Sequence, residues 1–228
     1  VGSFDGFPRG PEGPGFGFAL RAGGDVDGDG IPDLLASAPF ARPDGDPYAG
    51  DAYVLSGARL DAGVSLADLN AGVSSYGFSI RGAEGAWSFA DDVTSGDGDL
   101  AGFTLADGRD IDGDGLCDVV VGVPNAGDEN EGELAVVYGS DSTDAVHIAD
   151  IEEGSSGRGS LVQDYTPDYA LVPAEFGWVM QAPGDVNGDG YADLAVQPQP
   201  FGGEFGTRVL YGSASPQDTL ISNAARIE

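Results

Sequence analysis

The sequence predicts an all-β chain built from one four-stranded unit used three times. Three observations predict it. A nine-residue acidic run recurs three times, matching apolar segments flank every copy, and 39 Gly and 14 Pro in 228 residues supply the turns that many short strands need. The runs are "DVDGDGIPD" at 25–33, "DIDGDGLCD" at 110–118 and "DVNGDGYAD" at 185–193, spaced by 85 and 75 residues. Recurrence in a fixed order marks a repeat protein.

The strands follow from setting the runs in register. Upstream lie "FGFALRAGG" (16–24), "GFTLADGR" (102–109) and "FGWVMQAPG" (176–184). Directly downstream lie "LLASAPF" (34–40), "VVVGVPN" (119–125) and "LAVQPQP" (194–200), then "GDAYVLSG" (50–57), "GELAVVYGS" (132–140) and "GTRVLYGS" (206–213). Each is short, rich in β-branched or aromatic residues and bounded by Gly or Pro, so each reads as a strand. A fourth strand is predicted at "YGFSIRG" (76–82), where Phe78 and Ile80 alternate with Ser79 and Arg81, with counterparts at "LVQDYTPDYALV" (161–172) and "AARIE" (224–228). Ile227 then matches Ile80. The only helical signal is a turn near "SLADLNAG" (65–72).

Four antiparallel strands repeated around an axis describe a β-propeller blade, with the acidic run joining the first strand to the second. The units span about 10–82, 100–172 and 174–228. Propellers close with about four to eight blades. Three blades therefore predict part of a larger propeller or of an oligomeric ring, a homodimer of six blades being one solution. "AARIE" stops within its strand as aligned, which reads as a cut.

Composition narrows the function. The formal charge is −30, from 39 acidic residues against nine arginines and no lysine. Such a chain repels nucleic acid and anionic membranes, and divalent cations are its natural counter-charge. Cys117 is the lone cysteine, so no intrachain disulfide forms, and an acidic loop raises a thiol's pKa rather than activating it. His147 is the lone histidine, with nothing beside it to build a nucleophilic triad. No run of 18 apolar residues offers a membrane span, and the N-terminus has no basic-then-apolar leader.

Within each run, side-chain oxygens recur at positions 1, 3, 5 and 9: Asp25, Asp27, Asp29, Asp33; Asp110, Asp112, Asp114, Asp118; Asp185, Asn187, Asp189, Asp193. Ca²⁺ takes six to eight hard oxygens, and a curled loop supplies them from alternate residues. Gly30, Gly115 and Gly190 at position 6 allow the sharp turn, and the carbonyls of Ile31, Leu116 and Tyr191 at position 7 add a ligand. Three Ca²⁺ sites are predicted, with Mg²⁺ disfavoured by a flexible acidic loop. An EF-hand needs Glu at position 12 between two helices. Here position 12 is Ala36, Val121 or Val196 in an apolar strand, so the loops are not EF-hands. "SGDGDLAG" (95–102) and "GDENEGE" (127–133) lack the spacing and read as solvated loops. Trp87 and Trp178 read as core rather than as platforms for a sugar.

"FGFALRAGGDVDGDGIPDLLASAPF…GDAYVLSG" resembles an FG-GAP repeat, the blade unit of the integrin α-subunit propeller. Phe16-Gly17 and Phe176-Gly177 match its "FG", and "SAP" (37–39) and "GVP" (122–124) its "GAP". Departures are Phe103-Thr104 in the second unit and Gln197-Pro198 in the third. The resemblance implies structural Ca²⁺ loops and a non-catalytic adhesion or interaction module, extracellular or on the cell surface, that binds protein or carbohydrate. Two alternatives stand beside it: a structural blade segment of a large surface or appendage protein, and a propeller-based carbohydrate-active enzyme.

Overall fold

The structure is a computed structural model that describes residues 15–41, 48–70, 76–83, 98–127, 132–163, 176–197, 207–214 and 225–227. Three antiparallel meanders account for almost all of it. The first runs β1 (Leu20–Gly24), β2 (Asp33–Ala38), β3 (Asp51–Leu55), β4 (Gly77–Arg81). The second comprises β5 (Thr104–Arg109), β6 (Asp118–Val123), β7 (Glu133–Val137) and β9 (Gly159–Gln163). The third comprises β10 (Val179–Gly184), β11 (Asp193–Gln197), β12 (Thr207–Leu210) and β13 (Ala225–Ile227). A two-residue strand, β8 (Val146–His147), leaves the second meander and adds in parallel to the outer edge of the first, at β4.

The middle sheet is packed on both faces, which is why its strands read as continuous apolar runs rather than as alternating ones. All six residues of β6 and all five of β7 are buried. Val119, Val121, Ala135 and Val137 pack toward the first sheet against Leu35, Val54, Phe78 and Ile80. Val120, Leu134, Val136 and Val162 pack toward the third against Met180, Leu194, Val196 and Leu210. The sheets are thus blades placed face to face in chain order, with β1, β5 and β10 innermost and adjacent. Three blades make an arc, a partial propeller.

Two short helices, α1 (Leu66–Asn70) and α2 (Ile148–Glu152), lie between the third and fourth strands of the first two blades. Only the first was expected. Five residues make about one and a half turns, too few to leave a 3.6-residue pattern, so α2 and the adjoining β8 gave no periodic signal. Its Ile148 and Ile151 close the outer part of the first inter-blade core.

Several other expectations change. β9 starts two residues before the predicted "LVQDYTPDYALV" and uses only its first three; residues 164–172 lie outside those described, as does Trp87. The FG position of the second blade is Ala101-Gly102, not Phe103-Thr104. Gly17, Gly102 and Gly177 share positive φ (83, 85 and 97°), and Ala101 bridges to Gly50 as Phe176 bridges to Gly132. Phe103 corresponds instead to Phe18 and Trp178. Trp178 is half-buried and tilted against Phe103, ring centroids 4.3 Å apart, so it lies outside the buried core expected for it. The end of "SGDGDLAG" and the last residue of "GDENEGE" are not solvated: Asp99, Leu100 and Glu133 are buried, Glu133 as the first residue of β7, Asp99 accepting from Asn125 N–H (3.3 Å) and Leu100 donating to the Tyr48 carbonyl (3.1 Å).

Candidate metal centre

Each acidic run is the hairpin between a blade's first and second strands. A β-bulge precedes every one, between Ala22 and Gly24, Asp107 and Arg109, and Gln181 and Gly184. The extra residue bends the strand and re-aims the chain into the loop.

The loops share one hydrogen-bond scaffold. The position-6 glycine N–H donates to the position-1 carboxylate: Gly30 to Asp25 at 3.0 Å, Gly115 to Asp110 at 3.0 Å, Gly190 to Asp185 at 2.9 Å. The position-7 N–H donates to position 5, from Ile31, Leu116 and Tyr191 to Asp29, Asp114 and Asp189, at 2.8, 2.8 and 3.0 Å. The position-5 N–H donates to position 3, onto Asp27, Asp112 and Asn187. Each side chain is therefore held by backbone donors, with its remaining lone pairs free for other use.

Position 6 behaves as expected, with φ of 85, 94 and 97°, and position 4 takes the same conformation at Gly28, Gly113 and Gly188. Nothing lies within 4 Å of a Cβ added at Gly115. The demand for glycine there is conformational rather than steric. Gly115→Ala is expected to cost about 1–2 kcal/mol, read as a lower urea midpoint at unchanged slope.

Position 9 has a task that the other three lack. Asp33 accepts from Val26 (2.8 Å) and Gly57 (2.9 Å), Asp118 from Ile111 (2.7 Å) and Gly139 (3.0 Å), and Asp193 from Val186 (2.7 Å) and Gly212 (3.1 Å). Each of these carboxylates staples the start of its loop to the end of the blade's third strand. Spacing along the sequence signals a ligand here, but it carries no sign of this tertiary bond. Burial pushes Asp118 up to about 7, outweighing the two N–H donors that favour its charged form. Burial likewise raises Asp33 and Asp112.

The predicted residues converge unequally. In the first loop, carboxylate oxygens of Asp25, Asp27 and Asp29 lie within 4.8 Å of one another, with Asp33 outside the group. In the second, Asp110, Asp112 and Asp118 converge in the same way, with Asp114 outside it. In the third, the Asn187 amide donates to Asp189 at 2.9 Å, and no such trio of acids forms among the described residues. The donor set of the first two loops fits a hard divalent cation. It is all oxygen, it is anionic, and Asp25 Oδ1 is buried with no hydrogen-bond partner among the described residues. The thiol of Cys117 is directed elsewhere, against Gly24 of the first blade, and its burial there raises its pKa.

The loops of successive blades are also stitched together. Cys117 N–H donates to the Asp25 carbonyl (2.9 Å) and Ser140 N–H to that of Val26 (2.9 Å). At the next junction Ala192 donates to Asp110 (2.8 Å) and Ser213 to Ile111 (3.1 Å). Each of these two loops is thereby tied by two backbone hydrogen bonds to the blade that follows it.

Three face-to-face meanders, each with a bulged and acid-lined first hairpin, define a protein of the repeated-blade class, a partial β-propeller. A family model described as the FG-GAP repeat matches residues 16–55 and 176–208, so the chain carries FG-GAP repeats in its first and third blades. The chain is similar to integrin alpha-PS2 of Drosophila melanogaster, 29 % identical over 187 residues, which cover 79 % of this chain and 11 % of that protein. It thus corresponds to a small part of its relative's length. No helix among the described residues is long and apolar enough to cross a membrane.

Proposed function

We propose that the chain is a Ca²⁺-stabilised, non-catalytic interaction module of the integrin-like adhesion type, extracellular or on the cell surface, that meets a protein or carbohydrate ligand. The observation that carries the reading is the repeated loop scaffold with convergent, backbone-held carboxylates. Ca²⁺ would be held by Asp25, Asp27, Asp29 and Asp33 with the Ile31 carbonyl, and by Asp110, Asp112, Asp114 and Asp118 with that of Leu116. The third site would use Asp185, Asn187, Asp189 and Asp193 with the Tyr191 carbonyl. Integrin-like similarity over most of the chain supports the cell-surface setting, and the blade units remain those proposed at 10–82, 100–172 and 174–228. Further blades would complete the ring.

In each loop the cation would neutralise mutually repelling carboxylates and, through the stitches between loops, stiffen one side of the arc. Binding to the folded state at 100 times Kd adds about 2.7 kcal/mol per independent site. For a chain of this size that is about 5–11 °C in melting temperature. A thermal melt in low-salt buffer with and without chelator, then with Ca²⁺ restored, tests it. A melting temperature indifferent to chelator would sink the calcium reading. A glycan array run beside an assay for released reducing ends distinguishes carbohydrate binding from cleavage.

A further inference from the structure

The connection between β7 and β9 crosses to the first blade before it returns. It adds β8 to the outer edge of β4 and places Ile148 and Ile151 of α2 in the core between the first two blades. α2 also packs on β9, the strand beside β7. Together β8 and α2 form a strap over this junction. A carboxyl pair sits where the strap meets its own blade. Glu133, the first residue of β7, is 2 % exposed. Across the ladder lies Gln163 of β9, whose amide donates to Glu133 Oε2 at 2.9 Å. From the end of α2, Glu152 makes a side-chain hydrogen bond with Glu133, and the buried Asp99 adds a further negative charge. Two ionised carboxylates can only accept, so the bond between Glu133 and Glu152 needs a proton on one of them.

The first blade treats the same positions differently. Its β3 begins with Asp51, also buried, which lies opposite Arg81 rather than a glutamine. Tyr53 donates to Asp51 at 3.0 Å, and Arg81 donates to the Asn70 carbonyl at 2.9 Å. "VSLADLN" (64–70) and "VHIADIE" (146–152) are one motif used twice, so Asn70 stands where Glu152 does. Its side chain reaches Tyr53. The first blade therefore meets its buried acid with a cation and a phenol, and puts an amide at the helix end. The second blade meets it with an amide, and puts another acid at the helix end.

We propose that the strap is a proton-operated fastening: it is closed over the first junction while the Glu133–Glu152 pair holds a proton, and at alkaline pH it opens with the sheets still folded. This goes beyond the adhesion reading and needs neither Ca²⁺ nor a ligand. Burial pushes the Glu133 carboxyl up to about 8, and the charges of Glu152 and Asp99 add to the effect. Lifting α2 admits water to Glu133 and returns it to its ordinary value of 4.5. Between those values the closed strap holds one proton more than the open one. Its opening is therefore favoured by about tenfold per pH unit until pH reaches about 8. Ile148 and Ile151 oppose the opening at every pH, because apolar burial does not titrate. The other ionisable side chains on the strap are His147, opposite Arg81, and Asp150 in the first turn of α2.

The test is amide hydrogen exchange of the full chain, followed by mass spectrometry from pH 5 to 8 and corrected for the intrinsic rate. Protection of the 146–152 peptide is expected to fall about tenfold per pH unit from pH 5 to 7. At pH 8 it should lie below that of the 118–123 peptide from β6. Glu133→Gln should abolish the fall. Glu152→Gln, at an exposed position where folding is not at stake, should raise the protection of the strap at pH 8. Protection of the strap that is flat with pH in the parent would overturn the proposal. So would an equal fall in Glu133→Gln, which would place the effect at His147, or no response to Glu152→Gln. Protection equal to that of β6 at every pH would also overturn it, because the strap would then open only with the whole chain.

Discussion

Asp118→Ala is expected to destabilise the protein by about 2–6 kcal/mol even without Ca²⁺, because two buried N–H groups, of Ile111 and Gly139, lose their acceptor at about 1–3 kcal/mol each. Asp118 is fully buried, so no water replaces the lost acceptor. Asp114→Asn is the informative contrast. Asp114 is exposed and makes a short local bond to Leu116 N–H, which an amide oxygen also accepts. Its stability without metal should stay within about 0.5 kcal/mol of the parent, as for most surface changes, while part of the melting-temperature gain from Ca²⁺ is lost. Chemical denaturation with and without chelator reads both effects. Equal loss of metal-free stability in the two variants would show that position 9 does no more structural work than position 5.

Glu133→Gln should stabilise the protein above neutral pH by about 2 kcal/mol or more. Burial pushes the Glu133 carboxyl up to about 8, and the nearby charges of Glu152 and Asp99 add to the effect. Gln163 donates to one oxygen at 2.9 Å, and a side-chain hydrogen bond with Glu152 further favours a proton on the pair. The folded state thus prefers the protonated acid. The stability this contributes is fully present below the unfolded value near 4.5 and is lost as pH rises through about 8. An amide cannot ionise, so the variant should lack this decline. Melting curves from pH 4.5 to 8.5 test it: parent and variant should diverge with rising pH, reaching about 4–8 °C at the alkaline end. Parallel curves would show that Glu133 ionises without penalty.

The acidic runs were the most legible part of the chain. Three copies of one spacing fixed the register of everything around them, so the first three strands of each blade could be read from local pattern alone. The position-6 glycines were legible for the same reason, because the tight turn they permit is a property of a few adjacent residues. α2 and β8 were not legible from periodicity, being too short to carry one. A second signal for them was present in the text of the sequence: "VHIADIE" repeats "VSLADLN", and aligning those segments would have placed the second helix. The burial of Glu133 had no such signal. Its neighbours "GDENEG" are polar, and only the return of β9 and the approach of α2 enclose it.

The sequence by itself determined the repeat, the β class and the presence of a backbone-curled, oxygen-rich loop in each blade, since these depend on spacings within about ten residues. The tertiary structure decided the division of labour within each loop. Asp33, Asp118 and Asp193 look like ligands equal to the rest until the blade's third strand brings Gly57, Gly139 and Gly212 within hydrogen-bond reach. It also decided which apolar residues are core. Val26, Ile111 and Val186 hold the same position in the repeat, and the first two are buried against the loop of the blade that follows them. Burial depends on what lies across the junction, and no local pattern records that.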